Sequence, residues 1–125
     1  MTTLCDTSVV IDLLRGAGPA LTWARGLSGG PWCSEITLVE ILRGMRTQER
    51  RPTERLFAAI TWIPLDEAVA RRAGELGRTF RRSHGIPTAD LIIAATAMVH
   101  GHDLATINVR HFPMVPGIRA PYELG

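Results

Sequence analysis

At 125 residues, 46% hydrophobic and 21% charged, the chain has the size and composition of one globular domain, residues 1–125, able to bury roughly two-thirds of its unfolded surface. Its formal charge of +2 is built with arginine alone, without a single lysine, which excludes P-loop nucleotide hydrolysis, Schiff-base chemistry and any mechanism needing a catalytic ammonium. Aromatic content of 6% advertises no base-stacking platform, and nothing approaches the roughly eighteen apolar residues of a membrane span or the apolar core of a signal peptide, so a cytoplasmic protein with no membrane contact is expected.

Leu4 and Cys5 begin the chain as a short apolar strand, and Asp6, Thr7 and Ser8 stand in a row before a helix over Val9 to Leu14. An acid at the carboxyl end of a first strand is where open α/β sheets hold ligands, although all three residue types also cap helices well. Gly16 and Gly18 end that helix, and Pro19 to Leu27 reads as a second one. Pro31 to Cys33 predicts a buried strand, and Ser34 a cap for a helix running to about Arg46. Cys5 and Cys33 both fall in apolar runs and read as buried free thiols of a reducing compartment. Gln48 to Arg51 is a charged turn, Pro52 to Ala59 a helix and Ile60 to Leu65 a strand. Asp66 caps a long arginine-rich helix ending near Ser83, and Thr88 caps a very apolar helix to His100 that Gly101 stops. Leu104 to Thr106 is a strand, and Ile118 to Ala120 a last edge strand. Strands alternating with helices predict a parallel sheet covered on both faces.

Three acids stand out against this background. In the helix Ile36 to Met45 apolar residues occupy almost the whole circumference, and Thr37, Glu40 and Gly44 share the remaining sector. A buried glutamate is costly unless it is hydrogen-bonded, metal-bound or paired, for instance with Arg43. Asp90 is the sole charge in its apolar helix, with Ala94 and Ala97 on its face. The helix dipole would favour an acid there, but does not account for the alanines. If Asp6, Glu40 and Asp90 converge, burial and mutual repulsion raise their pKa values, and a hard divalent cation relieves both. Mg²⁺, taking one or two carboxylates plus waters, suits these oxygen donors. Zinc does not, since no Cys-x-x-Cys or His-x-x-x-His pair exists. His84, His100, His102 and His111 read as solvated turn residues.

The segments DTSVVIDLL, SEITLVEILRG, IPTADLIIAATA and LATINVRHFPMVPGI, in this order and spacing, resemble those of PIN-domain ribonucleases of the VapC toxin type. The resemblance covers nearly the whole chain. It implies a three-layer α/β/α fold with a central parallel sheet and a Mg²⁺-dependent RNase centre, with Mn²⁺ as a substitute ion. It also implies a homodimer, a VapB-type antitoxin whose carboxyl-terminal segment blocks the site, and products with 5′-phosphate and 3′-hydroxyl ends. Asp6, Glu40 and Asp90 match the family's three main acids. The fourth acidic position falls on Asn108, which keeps a carbonyl oxygen without the charge. On this reading Asp6 and Asp90 hold the metal, Glu40 orients or deprotonates the attacking water, and Thr7, Ser8 and Thr106 hydrogen-bond the carboxylates. Arg43 and Arg46, with Arg50, Arg51 and Arg55, would track the phosphates of an RNA strand. The second run, Arg71, Arg72, Arg78, Arg81 and Arg82, reads as plain surface. Two alternatives stand beside the nuclease. An aspartate-nucleophile phosphatase would need a second aspartate where Ser8 stands, and a lysine. A catalytically weak module of the same fold would bind RNA or a partner without turnover.

Overall fold

The structure, a computed structural model, describes residues 2–124 without the side chains of residues 81–84, so Arg81, Arg82 and His84 lie outside the described residues. Four three-residue strands, β1 (Thr3–Cys5), β2 (Trp32–Ser34), β3 (Thr61–Ile63) and β4 (Asp103–Ala105), form one parallel sheet in the order β3-β2-β1-β4. Six helices connect and cover them: α1 (Thr7–Leu14), α2 (Gly18–Arg25), α3 (Glu35–Gly44), α4 (Arg50–Ala58), α5 (Glu67–His84) and α6 (Thr88–His100).

Side chains alternate across the sheet as the pleat requires. Leu4, Trp32, Ile63 and Leu104 face one apolar cluster, built with Ile93, Ala94, Ala97 and Phe112. Cys5, Cys33, Trp62 and Ala105 face the other, built with Val9, Val10, Ala20 and Phe57. Both sides of the sheet are therefore covered, which gives the three-layer α/β/α arrangement. Among the described residues no helix is long and apolar enough to cross a membrane.

Local chemistry sets several helix starts. Ser34 Oγ accepts from the Ile36 N–H (3.2 Å) at the start of α3, and Asp66 accepts from the Val69 N–H (3.0 Å) at the start of α5. Such caps satisfy backbone donors that a first helical turn leaves unpaired. The helix predicted from Pro52 starts at Arg50, preceded by a single 3₁₀ turn over Thr47–Glu49.

Two expectations are corrected. Thr88 does not cap α6: it is the first helical residue after Pro87, and among the described residues no side chain caps this end. Ile118 to Ala120 is not a strand, for the chain from Phe112 closes in turns and Ile118 packs against the Phe112 cluster instead of pairing its backbone. The alanines of α6 also have a packing explanation. Ala94, Ala95 and Ala97 are buried, and α5 approaches so closely that a Cβ on Gly77 would lie 3.1 Å from Leu91 Cδ1.

The strand order decides where a site can form. From β1 the chain builds outward through β2 and β3, then returns to the other flank with β4. The reversal falls between β1 and β4, and the crevice beyond their carboxyl ends is where open α/β sheets bind ligands. Asp6 follows β1 and Thr106 follows β4, and the Asp6 N–H donates to the Ala105 carbonyl (2.8 Å) across that gap.

Candidate active site

Asp6 leaves β1 in extended backbone and becomes the N-cap of α1. One carboxylate oxygen accepts from the Thr7 N–H (2.7 Å), and the other from the hydroxyls of Ser8 (2.8 Å) and Thr106 (2.7 Å). Three donors therefore compensate a carboxylate only 3% exposed. Capping and a place in the crevice are not alternatives here, because one side chain does both.

Thr7 carries the connection onward. Its hydroxyl donates to Glu40 Oε1 (2.6 Å) and lies 2.9 Å from the hydroxyl of the fully buried Thr37. With the Thr7 proton directed at Glu40, the Thr37 hydroxyl donates to Thr7, and the carboxylate is fixed through two threonines. Glu40 is half-buried on a helix whose outer face is open: Glu35, Val39, Leu42, Arg43 and Gly44 are exposed. The expectation of a helix buried nearly all round is thus corrected, since α3 packs one side on the domain and leaves apolar Val39 and Leu42 at the surface. A Cβ on Gly44 would meet nothing within 4 Å, so no close approach within the chain explains that glycine.

Asp90 stands in the first turn of α6. Burial, and then the negative charge of Asp6, push its carboxyl above the ordinary range; Glu40 adds to this and the neighbouring His111 opposes it. Acids 84 residues apart in sequence, Asp6 and Asp90 (90 − 6), are thus brought close enough to repel. Among the described residues the ion pairs join Arg50 to Glu54, Arg71 to Glu67 and His111 to Asp90, and no arginine neutralises Asp6, Glu40 or Asp90.

The remaining candidates fall at different distances from this centre. Thr106 is fully buried and also accepts from the Asn108 N–H (2.9 Å), while Asn108 itself is exposed. Arg43, Arg46, Arg51 and Arg55 are exposed, and Arg50 lies 4.0 Å from Glu54 one helical turn away. Glu40 also lines a cleft of about 330 Å³ between α1, α3 and α4, with Ile11, Leu14, Arg15 and Met45 among its walls.

Two histidines depart from the solvated reading. His102 bonds the Thr2 hydroxyl and packs its ring 5.2 Å from that of Trp32, and burial lowers its pKa. His111 Nδ1 lies 3.0 Å from Asp90 Oδ2. Sequence reasoning missed it because a histidine in a loop carries no periodic signal. Its one legible sign was its place just before Phe112, an apolar residue able to anchor the loop.

The donor set of the crevice is carboxylate and hydroxyl oxygen, with one imidazole at its rim. Both cysteines are free and buried, and a hydrogen bond with Cys5, together with burial, pushes the Cys33 thiol up, away from the thiolate a soft metal needs. Among the described residues no three acids, histidines or cysteines are gathered tightly enough to enclose an ion. The fit is therefore to a hard cation held by one or two carboxylates, with water completing its coordination, as Mg²⁺ prefers.

A family model described as PIN domain matches residues 3–116. The chain is 42% identical to ribonuclease VapC19 of Mycobacterium tuberculosis over 123 residues, covering 95% of this chain and 98% of that one. It is 43% identical to ribonuclease VapC10 of the same organism over 124 residues, covering 97% and 93%. Among solved structures, a toxin–antitoxin complex from Klebsiella pneumoniae superposes with a TM-score of 0.80 at 27% identity, covering 98% of this chain and 99% of that one. DNA-bound VapBC from Salmonella typhimurium gives 0.82 at 22% identity, with 96% of each chain covered, a likeness of fold alone.

Proposed function

Because the chain belongs to the PIN-domain family, as a ribonuclease of the VapC type, we propose that it is the toxin of a toxin–antitoxin pair and that it hydrolyses RNA phosphodiester bonds at the crevice beyond β1 and β4 with a divalent cation, Mg²⁺ in preference. The observation that carries this reading is the hydrogen-bonded linkage of three acids from three distant elements: Thr7, next to Asp6, holds Glu40, and bonds through Thr106, Asn108 and His111 run from Asp6 to Asp90.

In this mechanism Asp6 and Asp90 hold the cation. When bound, the cation lowers the pKa of water and stabilises the charge that builds on the phosphate. The Ser8 and Thr106 hydroxyls and the Thr7 N–H fix both oxygens of Asp6, so that carboxylate does not swing as the charge nearby changes. Glu40, less buried and held through one oxygen, orients the attacking water and accepts its proton. Attack in line with the leaving 3′-oxygen forms the new P–O bond as the P–O3′ bond breaks, and the departing oxygen takes a proton from solvent, which yields 5′-phosphate and 3′-hydroxyl ends. The exposed Arg43 and Arg46 follow the phosphates of a single-stranded or looped RNA, whose bases can be splayed from their neighbours.

Regulation uses the adjoining surface. The cleft between α1, α3 and α4 has Glu40 in its wall, so an antitoxin segment seated there shields the acid that handles the water. The toxin acts as a homodimer, and the exposed Val39 and Leu42 offer apolar surface to a partner chain.

The test is incubation of the purified chain with total RNA, with Mg²⁺ or with chelator, followed by mapping of the cut ends. Cation-dependent cuts bearing 5′-phosphates are expected. Cleavage undiminished in chelator would exclude the metal mechanism.

A further inference from the structure

We infer that His111 is the positioning residue of Asp90, setting the orientation of that carboxylate and its separation from Asp6; the inference rests on the proposed cation site and adds to it a residue outside the acid set. Asp6 has three donors and Glu40 one, all from Thr7, Ser8 and Thr106. None of these reaches Asp90, whose side-chain hydrogen bond among the described residues is the one to His111, at 3.0 Å. The Asp90 side chain is 14% exposed and the His111 ring 50%. The more exposed imidazole therefore caps the Oδ2 side of the less exposed carboxylate. With the proton on Nδ1 it donates to Oδ2 and leaves Oδ1 for a cation.

The backbone pins this ring. His111 ends a 3₁₀ turn (Val109–His111), and its N–H donates to the Asn108 carbonyl (2.9 Å). The next residue, Phe112, is fully buried in the cluster with Leu4 and Ile93, and its N–H donates to the Val109 carbonyl (3.1 Å). A side chain that starts beside a core anchor has little freedom in where its Cβ sits.

These bonds also form a continuous route between the two acids. Asp6 accepts from the Thr106 hydroxyl, whose oxygen accepts from the Asn108 N–H. The Asn108 carbonyl accepts from the His111 N–H, and the His111 ring bonds Asp90. Asn108 thus contributes through both of its backbone groups, while its side chain stands at the surface. The loop after β4 acts as a spacer of fixed length between the acids beyond β1 and on α6.

The experiment is calorimetric titration of the whole chain with Mn²⁺ alone, comparing wild type with His111→Leu, which removes the donor, and His111→Asn, whose amide offers an N–H at about the place of Nδ1. About tenfold weaker Mn²⁺ affinity is expected for His111→Leu, with affinity largely restored in His111→Asn. The Mg²⁺ concentration giving half-maximal RNA cleavage should rise in parallel in the leucine variant, with the rate recovering at saturating ion. Melting temperatures in chelator, expected to stay near wild type in both variants, separate positioning from folding. Wild-type affinity in His111→Leu, or equal loss in both variants, would overturn the role of the donor. Failure of the wild-type chain to bind Mn²⁺ at all would instead overturn the cation site, and this inference with it.

Discussion

Two aspartates on one helix have opposite surroundings. Asp6 caps the amino end of α1 and Asp12 lies near its carboxyl end, and both are buried, at 3% and 4% exposed. Asp6 is held by its own turn and by the loop after β4, Thr7 beside it holds Glu40, and its charge raises the Asp90 carboxyl. Asp12 is closed by the carboxyl-terminal segment: the Tyr122 hydroxyl donates to Asp12 Oδ2 (2.7 Å), and the Tyr122 ring lies 5.8 Å from that of Trp23. Burial, and then that hydrogen bond, raise the Tyr122 phenol well above its ordinary range. Burial of an acid is therefore no mark of chemistry in itself. What distinguishes Asp6 is the company of other acids, whereas Asp12 is matched with one donor and serves to latch the tail onto α1 and α2.

The largest effect that would sharpen this contrast is on turnover. Asp6→Asn should reduce the initial rate of RNA cleavage by about 100-fold or more, since on the proposed mechanism several kcal/mol of transition-state stabilisation depend on the ion this carboxylate would hold. Asp12→Asn should leave the rate within about twofold. Abolished cleavage in Asp12→Asn at an unchanged melting temperature would erase the distinction between the two acids.

Next comes stability at the latch. Tyr122→Phe strands a buried carboxylate and should cost about 1–3 kcal/mol in urea unfolding, with cleavage per folded molecule unchanged.

A smaller effect of opposite sign is expected in the crevice. The Asp90 carboxyl is raised in the folded chain, so folding holds that proton at a pH where the unfolded chain has released it. The resulting penalty is absent below the ordinary carboxyl pKa of about 3.9, grows as pH rises through the window between the unfolded and folded values, and is complete above the folded value. In chelator at neutral pH, Asp90→Asn should therefore melt about 4 °C higher than wild type, the shift that about 1 kcal/mol gives in a domain of this size. That gain should vanish toward pH 3. Adding Mg²⁺ should raise the wild-type melting temperature more than that of the variant, because an ion that binds only the folded state stabilises it by mass action. A lower melting temperature for Asp90→Asn in chelator at neutral pH would mean that the acids do not repel one another.

The least of these effects belongs to Glu40→Gln. It keeps an acceptor for the Thr7 hydroxyl and removes one charge from a half-buried site. A rise of roughly 1–2 °C in chelator is expected by calorimetry, smaller than for Asp90 because water screens a more exposed charge. A fall would mean that the charge-assisted bond from the Thr7 hydroxyl outweighs the repulsion between the acids.

Much of this architecture was legible along the chain. The β/α alternation predicted a parallel sheet covered on both sides, and Ser34 and Asp66 cap the helices that follow them. Those signals are local: a cap needs two or three neighbouring residues, and a strand or helix face needs only a period. The same locality misled at α3 and at Ile118. The apolar residues of α3 have the pattern of a buried surface, but which face a helix buries depends on what the rest of the chain brings against it. Ile118 has the composition of a strand residue, yet the turns after Phe112 turned its side chain into core packing.

By itself, then, the sequence determined the order of the elements, the caps, and an unusual set of acids in apolar settings, because these depend on residue type and short spacing. Only the tertiary structure decided that Asp12 belongs to a latch with Tyr122, 110 positions away, and that Asp90 is met by His111, 21 positions away. Hydrogen bonds over such separations form when strands, helices and tail close around one core. No period or propensity along the chain records which distant donor an acid will meet.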